Sequence, residues 1–449
     1  MADRKPQRLL DMSVGNPFPL LIQYATPLFL GNLLQQVYNL ADTAIAGHIL
    51  GDTALSQIGA STALYTLITN LAFGMNTGLA LAVSRAFGAK DEKGLKRSVA
   101  WMTILSGLCA IVLTVGFLAF RFPLMRALQT PEDLFSGAIK YLTVILIGIP
   151  FTMAYNLEAS LLQAVGNSRT PLVLLLFSSI LNIVLDILFM GPMHLGVGGA
   201  AIATILAQAV SAGICFLYIL RNYPELRFGR SELQVEKGFV GDLFVTGLSM
   251  SLMSTIYNIG GVLLQGSINR LGTAYIAAQV AARRLAELIY LPGSTLGMAV
   301  ATYSSQNYGA GQRNRIQQGV KTALILYACW WTIAMIFTFT LGRTAVQLIT
   351  GSQDETILSA ATRYLYISIP MIPPMAVLVI LRSMLQGIRH RFSPLICSGL
   401  EMIGKIAFAL WIVPVYGYTA VCVCEPFTWV ICCAFILIVV IMVRKKETA

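Results

Sequence analysis

Long apolar runs constrain this chain more than any other feature. Stretches of about 18 or more mostly apolar residues, separated by turn signals, recur from one end of the sequence to the other. An α-helix needs a stretch of that length to cross about 30 Å of hydrocarbon. Charged residues make up only 11% of the chain, whereas about a quarter is usual for a soluble protein. The sequence therefore predicts an all-α membrane protein that crosses the bilayer many times.

The apolar runs predict twelve transmembrane helices. They lie near residues 16–46, 54–86, 96–119, 137–163, 171–190, 197–220, 240–267, 273–305, 319–341, 358–386, 394–413 and 418–443. The longest of these helices must tilt, kink or project beyond the bilayer. Prolines inside the runs are the expected kink points, because proline removes a backbone donor and crowds the preceding turn. These prolines are residues 27, 292, 370, 373 and 374.

The basic residues that give the chain its formal net charge of +11 lie mostly in loops, so this charge does not indicate a nucleic-acid partner. Arginines and lysines fall mostly in alternate loops, with exceptions such as Arg121 and Arg343. This positive-inside bias predicts a multi-pass plasma-membrane protein with both termini in the cytoplasm. The residues that set the bias are Arg4, Lys5, Arg8, Lys90, Lys93, Lys96, Arg97, Arg169, Arg221, Arg227, Arg230, Lys237, Arg313, Arg315, Lys321, Arg389, Arg391, Arg444, Lys445 and Lys446.

The cysteines do not predict a metal centre or a disulfide framework. All eight lie inside or next to predicted helices. Cys422 and Cys424 resemble half of a metal-binding motif, but no second pair of ligands accompanies them. Buried thiols that fill helix surfaces are the favoured interpretation. The N-terminus also lacks the short apolar core and cleavage site of a removable signal peptide.

The chain repeats itself. LQAVGNSRTP (162–171) matches LQGIRHRFSP (385–394) at an offset of 223 residues, and VYNLADTAIAG (37–47) resembles IYNIGGVLLQG (256–266). The shift spans six predicted helices, so both copies have the same orientation in the membrane. The halves are therefore expected to be related by an axis along the membrane normal.

The repeat predicts a division of the chain into two bundles of six helices. The first bundle covers residues 14–221 and the second covers residues 239–443, with residues 222–238 as a polar cytoplasmic linker. Membrane proteins built from such repeats usually bind their ligand where the halves meet.

Acidic residues inside predicted helices are the main candidates for function, because a charge near the bilayer centre costs about 2.5–3.5 kcal/mol. Asp42 follows about twenty mostly apolar residues, and Asp186 lies four residues after Asn182, on the same helix face. Thr204 is expected at about the same depth. Two carboxyl groups in a pocket of low dielectric favour a shared proton, and the same oxygens could ligate a bare cation. Asp42 as a capping residue and Asp186 as a structural hydrogen-bonding group remain alternatives.

The second half carries different charges. Glu401 and Lys405 are spaced four apart on one helix, and a similar cluster lies in the eighth helix. Structural pairing is the favoured interpretation, because each charge has an opposite charge nearby. The predicted charge network consists of Arg284, Glu287, Glu401 and Lys405, with Arg283 next to Arg284 in the cluster of the eighth helix.

Glu425 has no partner of opposite charge near it in the sequence, so we predict that it faces a cavity. Methionine and aromatic side chains suit a broad, adaptable cavity, although ordinary helix packing explains any one of them. The residues predicted to line such a substrate cavity are Tyr38, Met153, Tyr155, Met253, Tyr257 and Glu425.

Together, these segments resemble the multidrug and toxic compound extrusion (MATE) transporters. The resemblance is carried by PLFLGNLLQQVYNLADTAIAGHILG, FGAKDEKG, LLQAVGNSRTPLVL, LNIVLDILF and LGVGGAAIAT, and it extends over nearly the whole chain. It implies twelve helices in two six-helix bundles that form a V around a central cleft. It also implies a monomer that exports organic, often cationic, compounds in exchange for protons or sodium ions, without a cofactor.

The resemblance also implies roles for individual residues. Tyr38 matches an aromatic residue that lines the cavity of the first half. The residues that match the family's ion-coupling network are Asp42, Asn156, Asn182, Asp186 and Thr204. The norfloxacin-exporter branch has acids in its seventh and tenth helices, and both are missing here. The sequence therefore favours the branch that resembles the DNA-damage-inducible F proteins, with coupling in the first half and protons as the ion.

Two functions other than export are the alternatives for this chain. The nearest is a lipid-linked precursor flippase of the same superfamily, which usually has a more cationic cavity. A membrane-embedded enzyme is the remote alternative. The scattered histidines His48, His194 and His390, and the lack of an aspartate-rich motif, argue against it. The expected partners are small organic cations and the lipid bilayer.

Overall fold

The computed structural model describes residues 9–234 and 236–448, with side chains described up to residue 445. These residues form helices joined by short turns, and no strand occurs among them. Of the basic residues used to predict topology, Arg4, Lys5 and Arg8 lie outside the described residues, and so does the side chain of Lys446.

Six long helices form in each half of the sequence. In the first half they are α1 (Pro17–Leu50), α2 (Asp52–Gly88), α3 (Glu92–Ala127), α4 (Glu132–Ala164), α5 (Arg169–Met190) and α6 (Gly196–Asn222). In the second half they are α7 (Phe239–Asn269), α8 (Thr273–Gly309), α9 (Arg313–Thr350), the pair α10 (Glu355–Ser368) and α11 (Ile372–Gly387), then α12 (Phe392–Ala407) continued by α13 (Val413–Tyr416), and α14 (Tyr418–Thr448).

The predicted kink in the tenth apolar run is confirmed. The run is two helices, α10 and α11, bent by 55° at a short break that contains Pro370. Pro373 and Pro374 follow in the first turn of α11, where a missing backbone N–H removes no helical hydrogen bond. The eleventh run is also irregular, because a π-helical turn at Phe408–Ile412 joins α12 to α13.

Within the described residues, ten helices are long and apolar enough to cross a membrane, or eleven if the bent pair is one span. Helix α1 is not among them, although it has 34 residues. Its asparagines, its glutamines and Asp42 lower its mean hydropathy, as expected for a helix that presents polar groups to the protein interior.

The helices fall into two compact units. The first unit is Thr26–Ser251 with the described residues before Met12, and the second is Met12–Ala25 with the residues from Leu252 onward. The core of the first unit includes side chains from α2, α3 and α4 that are completely buried, among them Leu79, Met102 and Leu162.

The segment before α1 is held firmly within the second unit. Arg315 donates hydrogen bonds to the carbonyl oxygens of Gly15 (2.8 Å) and Met12 (3.1 Å). Asn307 also donates to the Met12 oxygen, and the Met12 N–H donates to Gln306 Oε1. Helix α1 therefore starts from a point fixed by α8 and α9.

Glycines allow α2 and α7 to approach closely within the first unit. A Cβ atom on Gly78 would lie 2.7 Å from Gly247 Cα and 2.8 Å from the Thr246 carbonyl oxygen, and one on Gly74 would lie 2.6 Å from Ser251 Cα. These contacts involve backbone atoms, which cannot move aside as a side chain can. The small residues therefore set the distance between the two helices.

We expect Gly78→Ala to lower the free energy of unfolding by about 1–3 kcal/mol, because the added methyl group forces the two backbones apart. Thermal denaturation of the purified protein in detergent measures this effect. The matched control is Gly107→Ala on the exposed face of α3, where nothing lies within 4 Å of the added Cβ. That change should be neutral or slightly stabilising, because alanine favours the helix more than glycine does. Equal melting temperatures for the two variants would contradict the close approach.

Candidate functional site

Polar side chains from α1, α5 and α6 meet inside the first unit, as the sequence predicts. The Asn182 amide nitrogen donates to Asp186 Oδ2 (2.8 Å) and to the Tyr38 hydroxyl (3.1 Å). This amide orientation is assigned because the opposite one brings like groups together. The amide oxygen then faces Thr204, whose backbone nitrogen lies 3.1 Å away. Asn182 is thus the centre of the cluster.

Asp42 completes this cluster, and its carboxyl group contacts that of Asp186. Asp186 is fully buried, and Oδ1 of each acid has no hydrogen-bond partner. Among the residues that the structure describes, neither acid forms an ion pair. Two ionised carboxylates in contact repel each other, so the pair can hold a proton or a cation.

The alternative interpretation of Asp42 as a capping residue is wrong. Asp42 lies in the interior of α1, which continues to Leu50. The N-cap of α2 is Gly51, which makes no side-chain capping bond. The neighbouring Thr43 hydroxyl donates to the Asn39 carbonyl oxygen, one turn back in the same helix. Asp42 therefore reaches the cluster from a continuous helix.

A second group of polar residues extends the cluster. The Thr152 hydroxyl donates to Gln208 Oε1, and Gln208 also contacts the Tyr65 hydroxyl. Asn156, predicted from the resemblance, donates to the Thr152 carbonyl oxygen (2.9 Å). The sequence did not predict Tyr65 or Gln208. Gln208 could have been found from its position four residues after Thr204, on the same face of α6.

The second unit contains a buried network of charges with Glu425 at its centre. Glu425 Oε1 accepts a hydrogen bond from Arg283 Nη1 (3.1 Å), and Oε2 accepts one from the Tyr364 hydroxyl (2.8 Å). Lys405 Nζ lies 4.0 Å from Glu425 Oε1 and 3.8 Å from Glu401 Oε1. Glu425, which is unpaired in the sequence, therefore has several partners supplied by other helices.

The arginines of the observed network differ from the predicted ones. Arg283 is the arginine that pairs with Glu287, at 3.6 Å, whereas the side chain of Arg284 is exposed and outside the network. The prediction for Arg284 is wrong because successive residues on an α-helix point about 100° apart. The sequence also missed Arg382, whose Nη1 lies 3.9 Å from Glu401 Oε2. A basic residue inside the apolar run VLVILRSML was the available signal.

The repeat places different chemistry at equivalent positions of the two units. Lys405 corresponds to Asn182, and Tyr257 corresponds to Tyr38. In the second unit the Lys405 ammonium lies 3.9 Å from the centre of the Tyr257 ring, a cation–π contact. Among the described residues, Asp42 and Asp186 have no cationic partner, whereas Glu401 and Glu425 of the second unit are paired with arginine and lysine.

The methionine and aromatic side chains predicted to line a substrate cavity lie in several environments. Met153 is buried in the core between α2, α3 and α4, and Tyr155 packs against a neighbouring core cluster. The Met253 sulfur accepts a hydrogen bond from Gln386 Nε2, and Tyr257 is 39% exposed. Their assignment to a substrate cavity stays a prediction.

The cysteines and acids do not assemble into a metal centre within the described residues, where no group of three or more His, Cys, Asp and Glu side chains could hold an ion. All eight cysteines are free thiols.

Comparison with known families identifies the chain. The MatE family model matches residues 27–188 and again residues 249–411. The chain belongs to the MatE family. The two matches begin 222 residues apart, close to the offset of the sequence repeat, so each half carries one copy of the family's unit. This MatE protein is a multi-pass membrane transporter of a multidrug efflux family, and it is not an enzyme. Transporters of this family use small-molecule substrates and need no cofactor.

Curated relatives of this MatE protein are described as multidrug transporters. The probable multidrug resistance protein YpnP of Bacillus subtilis is 30% identical over 312 residues, which are 68% of each chain. The probable multidrug resistance protein NorM of Thermotoga maritima is 25% identical over 72% of this chain and 68% of its own. The multidrug export protein MepA of Staphylococcus aureus is 21% identical over 99% of this chain and 98% of its own.

Solved structures show the same fold. A MATE transporter crystallised in the bent conformation superposes with a TM-score of 0.90 at 21% identity, covering 99% of this chain and all of that one. A transporter of the MOP superfamily from Pyrococcus furiosus gives the same values. The predicted all-α fold with twelve helices in two bundles is confirmed. The resemblance to the DNA-damage-inducible F branch stays a prediction.

Proposed function

We propose that this MatE transporter is a secondary antiporter that exports organic, often cationic, compounds in exchange for protons. The contact between the carboxyl groups of Asp42 and Asp186 carries the proposal. Asp42 lies inside α1 and Asp186 inside the apolar helix α5, and neither acid has a cation to neutralise it among the described residues. A transported ion supplies the missing positive charge. The multidrug export described for relatives such as MepA supports organic compounds as the substrate class.

Coupling requires that the ion binds the two access states unequally. When Asp42 and Asp186 share a proton, their mutual repulsion is relieved and α1 packs against α5. When the proton leaves, the two negative charges push α1 away and attract an organic cation. The proton and the substrate therefore compete for the same charge, and only one of them occupies the protein in each half of the cycle.

With the amide orientation assigned to Asn182, a proton fits the site better than a sodium ion does. Its amide N–H groups donate to Asp186 Oδ2 and the Tyr38 hydroxyl, so they occupy lone pairs that a bare cation would need as ligands. A proton needs only the unpaired oxygens of Asp42 and Asp186. Sodium remains the alternative ion, because the Thr204 hydroxyl and the carboxyl oxygens are hard ligands.

The flippase alternative is less well supported. An anionic lipid-linked substrate would need cations that are available to bind it. The cations of the second unit's charge network, Arg283, Arg382 and Lys405, each lie within 4.0 Å of a glutamate. Their charge is therefore already neutralised by the protein.

We place the protein in the plasma membrane as a monomer with both termini in the cytoplasm. Residues 14–221 and 239–443 would act as the two six-helix bundles, and residues 222–238 as the cytoplasmic linker. The basic residues of alternate loops support this orientation. The linker contains two short 3₁₀ turns, Pro224–Leu226 and Arg230–Leu233, in place of a membrane-spanning helix.

The experiment uses purified protein in liposomes with an imposed proton gradient or, separately, a sodium gradient. Uptake of the fluorescent cation ethidium is followed for wild type, for Asp42→Asn, and for Asp52→Asn, an exposed acid in the first turn of α2. We expect proton-driven uptake in wild type and in Asp52→Asn, and none in Asp42→Asn. Uptake driven only by sodium would overturn the proposed ion. Full activity of Asp42→Asn would show that Asp42 is a structural residue.

A further inference from the structure

Glu158 is a buried acid of the first unit that does not belong to the ion site. It lies in α4, about 9 Å before the helix ends at Ala164, from a rise of 1.5 Å per residue. Its surface is only 7% exposed, and its Oε2 atom has no hydrogen-bond partner among the described residues. A buried carboxyl oxygen without a partner is costly, so this oxygen is a place for a proton or a bound water molecule.

The neighbours of Glu158 do not neutralise its charge. Its carboxyl group contacts the buried thiol of Cys215 on α6, and Tyr155 lies one turn away on α4. A thiol is a weak hydrogen-bond donor and carries no positive charge. Glu158 forms no ion pair, in the part of the chain that the structure describes, with the basic residues at the same end of the neighbouring helices. These residues are Arg85, Lys93, Lys96, Arg97, Arg169 and Arg221.

A file of polar side chains on α6 connects Glu158 with the ion site. Thr204, Gln208, Ser211 and Cys215 are spaced four, three and four residues apart, so they lie on one face of the helix. Thr204 belongs to the ion site, and Cys215 contacts Glu158. The two ends of the file are about 16 Å apart along the helix.

The facing side of α4 adds polar groups to this file. The Thr152 hydroxyl donates to Gln208 Oε1, and Asn156 donates to the Thr152 carbonyl oxygen. The Ser211 hydroxyl is completely buried and has no hydrogen-bond partner among the described residues. Buried polar groups of this kind are where structural water binds in proteins. Water molecules bonded to these groups can therefore carry a proton along the file.

We propose that Glu158 is a proton relay, which accepts the proton that Asp42 and Asp186 release and passes it to water at the end of α4 predicted to be cytoplasmic. This role presupposes that the transporter exchanges its substrate for protons. In the charged state, the Cys215 thiol donates to the carboxylate. In the neutral state, the proton lies on the carboxyl oxygen that has no protein partner, and its transfer to water restores the charged state.

Uptake of ethidium by liposomes with an imposed proton gradient tests the relay with Glu158→Gln. Glutamine keeps the size of the side chain and accepts the hydrogen bond from Cys215, but it binds no proton. We expect the initial rate to fall by about tenfold or more, because positioned proton-transfer groups typically accelerate a step by at least that factor. The final accumulation should equal that of wild type, since the coupling acids are unchanged. The matched control is Glu132→Gln, an exposed acid in the first turn of the same helix, which should transport as wild type does.

Two further variants separate a proton relay from a structural role. Glu158→Asp keeps a carboxyl group and should restore at least about half of the wild-type rate. Cys215→Ala removes the donor to the charged form of Glu158, so the pH at which the rate is half-maximal should move toward higher pH. A structural role would instead lower the rate by the same factor at every pH. Melting temperatures of all the variants are measured alongside.

The outcomes distinguish the relay from the antiport itself. Proton-driven uptake by Glu158→Gln at the wild-type rate and with the wild-type pH dependence would overturn the relay and leave proton antiport in place. Equal losses in Glu158→Gln and Glu158→Asp at every pH would also overturn it, because Glu158 would then be a structural residue. Wild-type uptake driven only by sodium would overturn the proposed antiport and the relay with it.

Discussion

Replacing Asp186 with asparagine is expected to abolish ion-driven export while leaving the protein folded. Asparagine has the shape of a protonated aspartate, and its side-chain oxygen can still accept the hydrogen bond from Asn182. It cannot release a proton, so the charge that alternates during the cycle is lost. We expect the initial rate of proton-driven ethidium uptake in liposomes to fall by about 100-fold or more, equivalent to about 2.7 kcal/mol of lost coupling. The melting temperature should stay close to that of wild type.

The double variant Asp42→Asn/Asp186→Asn tests whether the two carboxyl groups act as one ion site. If the two carboxyl groups act as one site, either single replacement removes the coupling, and the double variant should be no worse than Asp186→Asn alone. Two independent ion sites would instead give partial activity in each single variant and a multiplied loss in the double variant. Proton-driven uptake by Asp186→Asn at half the wild-type rate would rule out the shared site.

Most of the fold could be predicted from the apolar runs because each run must form a helix in hydrocarbon. The ends of the helices were less predictable. The third run was predicted to end near residue 119, but α3 continues through Arg121 and Pro123 to Ala127. The Arg121 guanidinium donates to the Leu118 carbonyl oxygen of the same helix. The helix thus continues past the point where its apolar pattern stops.

The candidate site could be predicted only in part. Asn182 and Asp186 were recognisable because they are four residues apart and polar inside an apolar run. Tyr65 and Gln208 were missed because neither carries a charge, although Gln208 lies four residues after Thr204 on the same face of α6. The choice between Arg283 and Arg284 as the partner of Glu287 was open, since residues three and four apart both lie near each other on a helix. Contacts between helices, such as that from Arg283 to Glu425, require the fold.

Breaking the ion pair of Arg283 and Glu425 is expected to destabilise the second unit far more than breaking an exposed pair does. Glu425 is 4% exposed, and Glu425→Gln would leave Arg283, Lys405 and Arg382 with only Glu287 and Glu401 as acidic partners, so one positive charge of the network would be uncompensated. We expect the free energy of unfolding to fall by about 3–5 kcal/mol. The lower end applies because the Arg283 side chain is 31% exposed and can be partly solvated. Unfolding of the purified protein, followed by circular dichroism, measures the loss.

A double-mutant cycle separates the pair from its surroundings. Arg283→Met/Glu425→Gln should lose less stability than the sum of the two single variants, because the second replacement removes a charge that the first has already left unpaired. The matched control is the pair of Arg343 and Glu355, whose side chains are 52% and 70% exposed. Arg343→Met and Glu355→Gln should each change stability by about 0–1 kcal/mol. If Glu425→Gln keeps the wild-type stability but loses proton-driven uptake, the second unit takes part in ion coupling, and its charges are not the structural network that their pairing indicates.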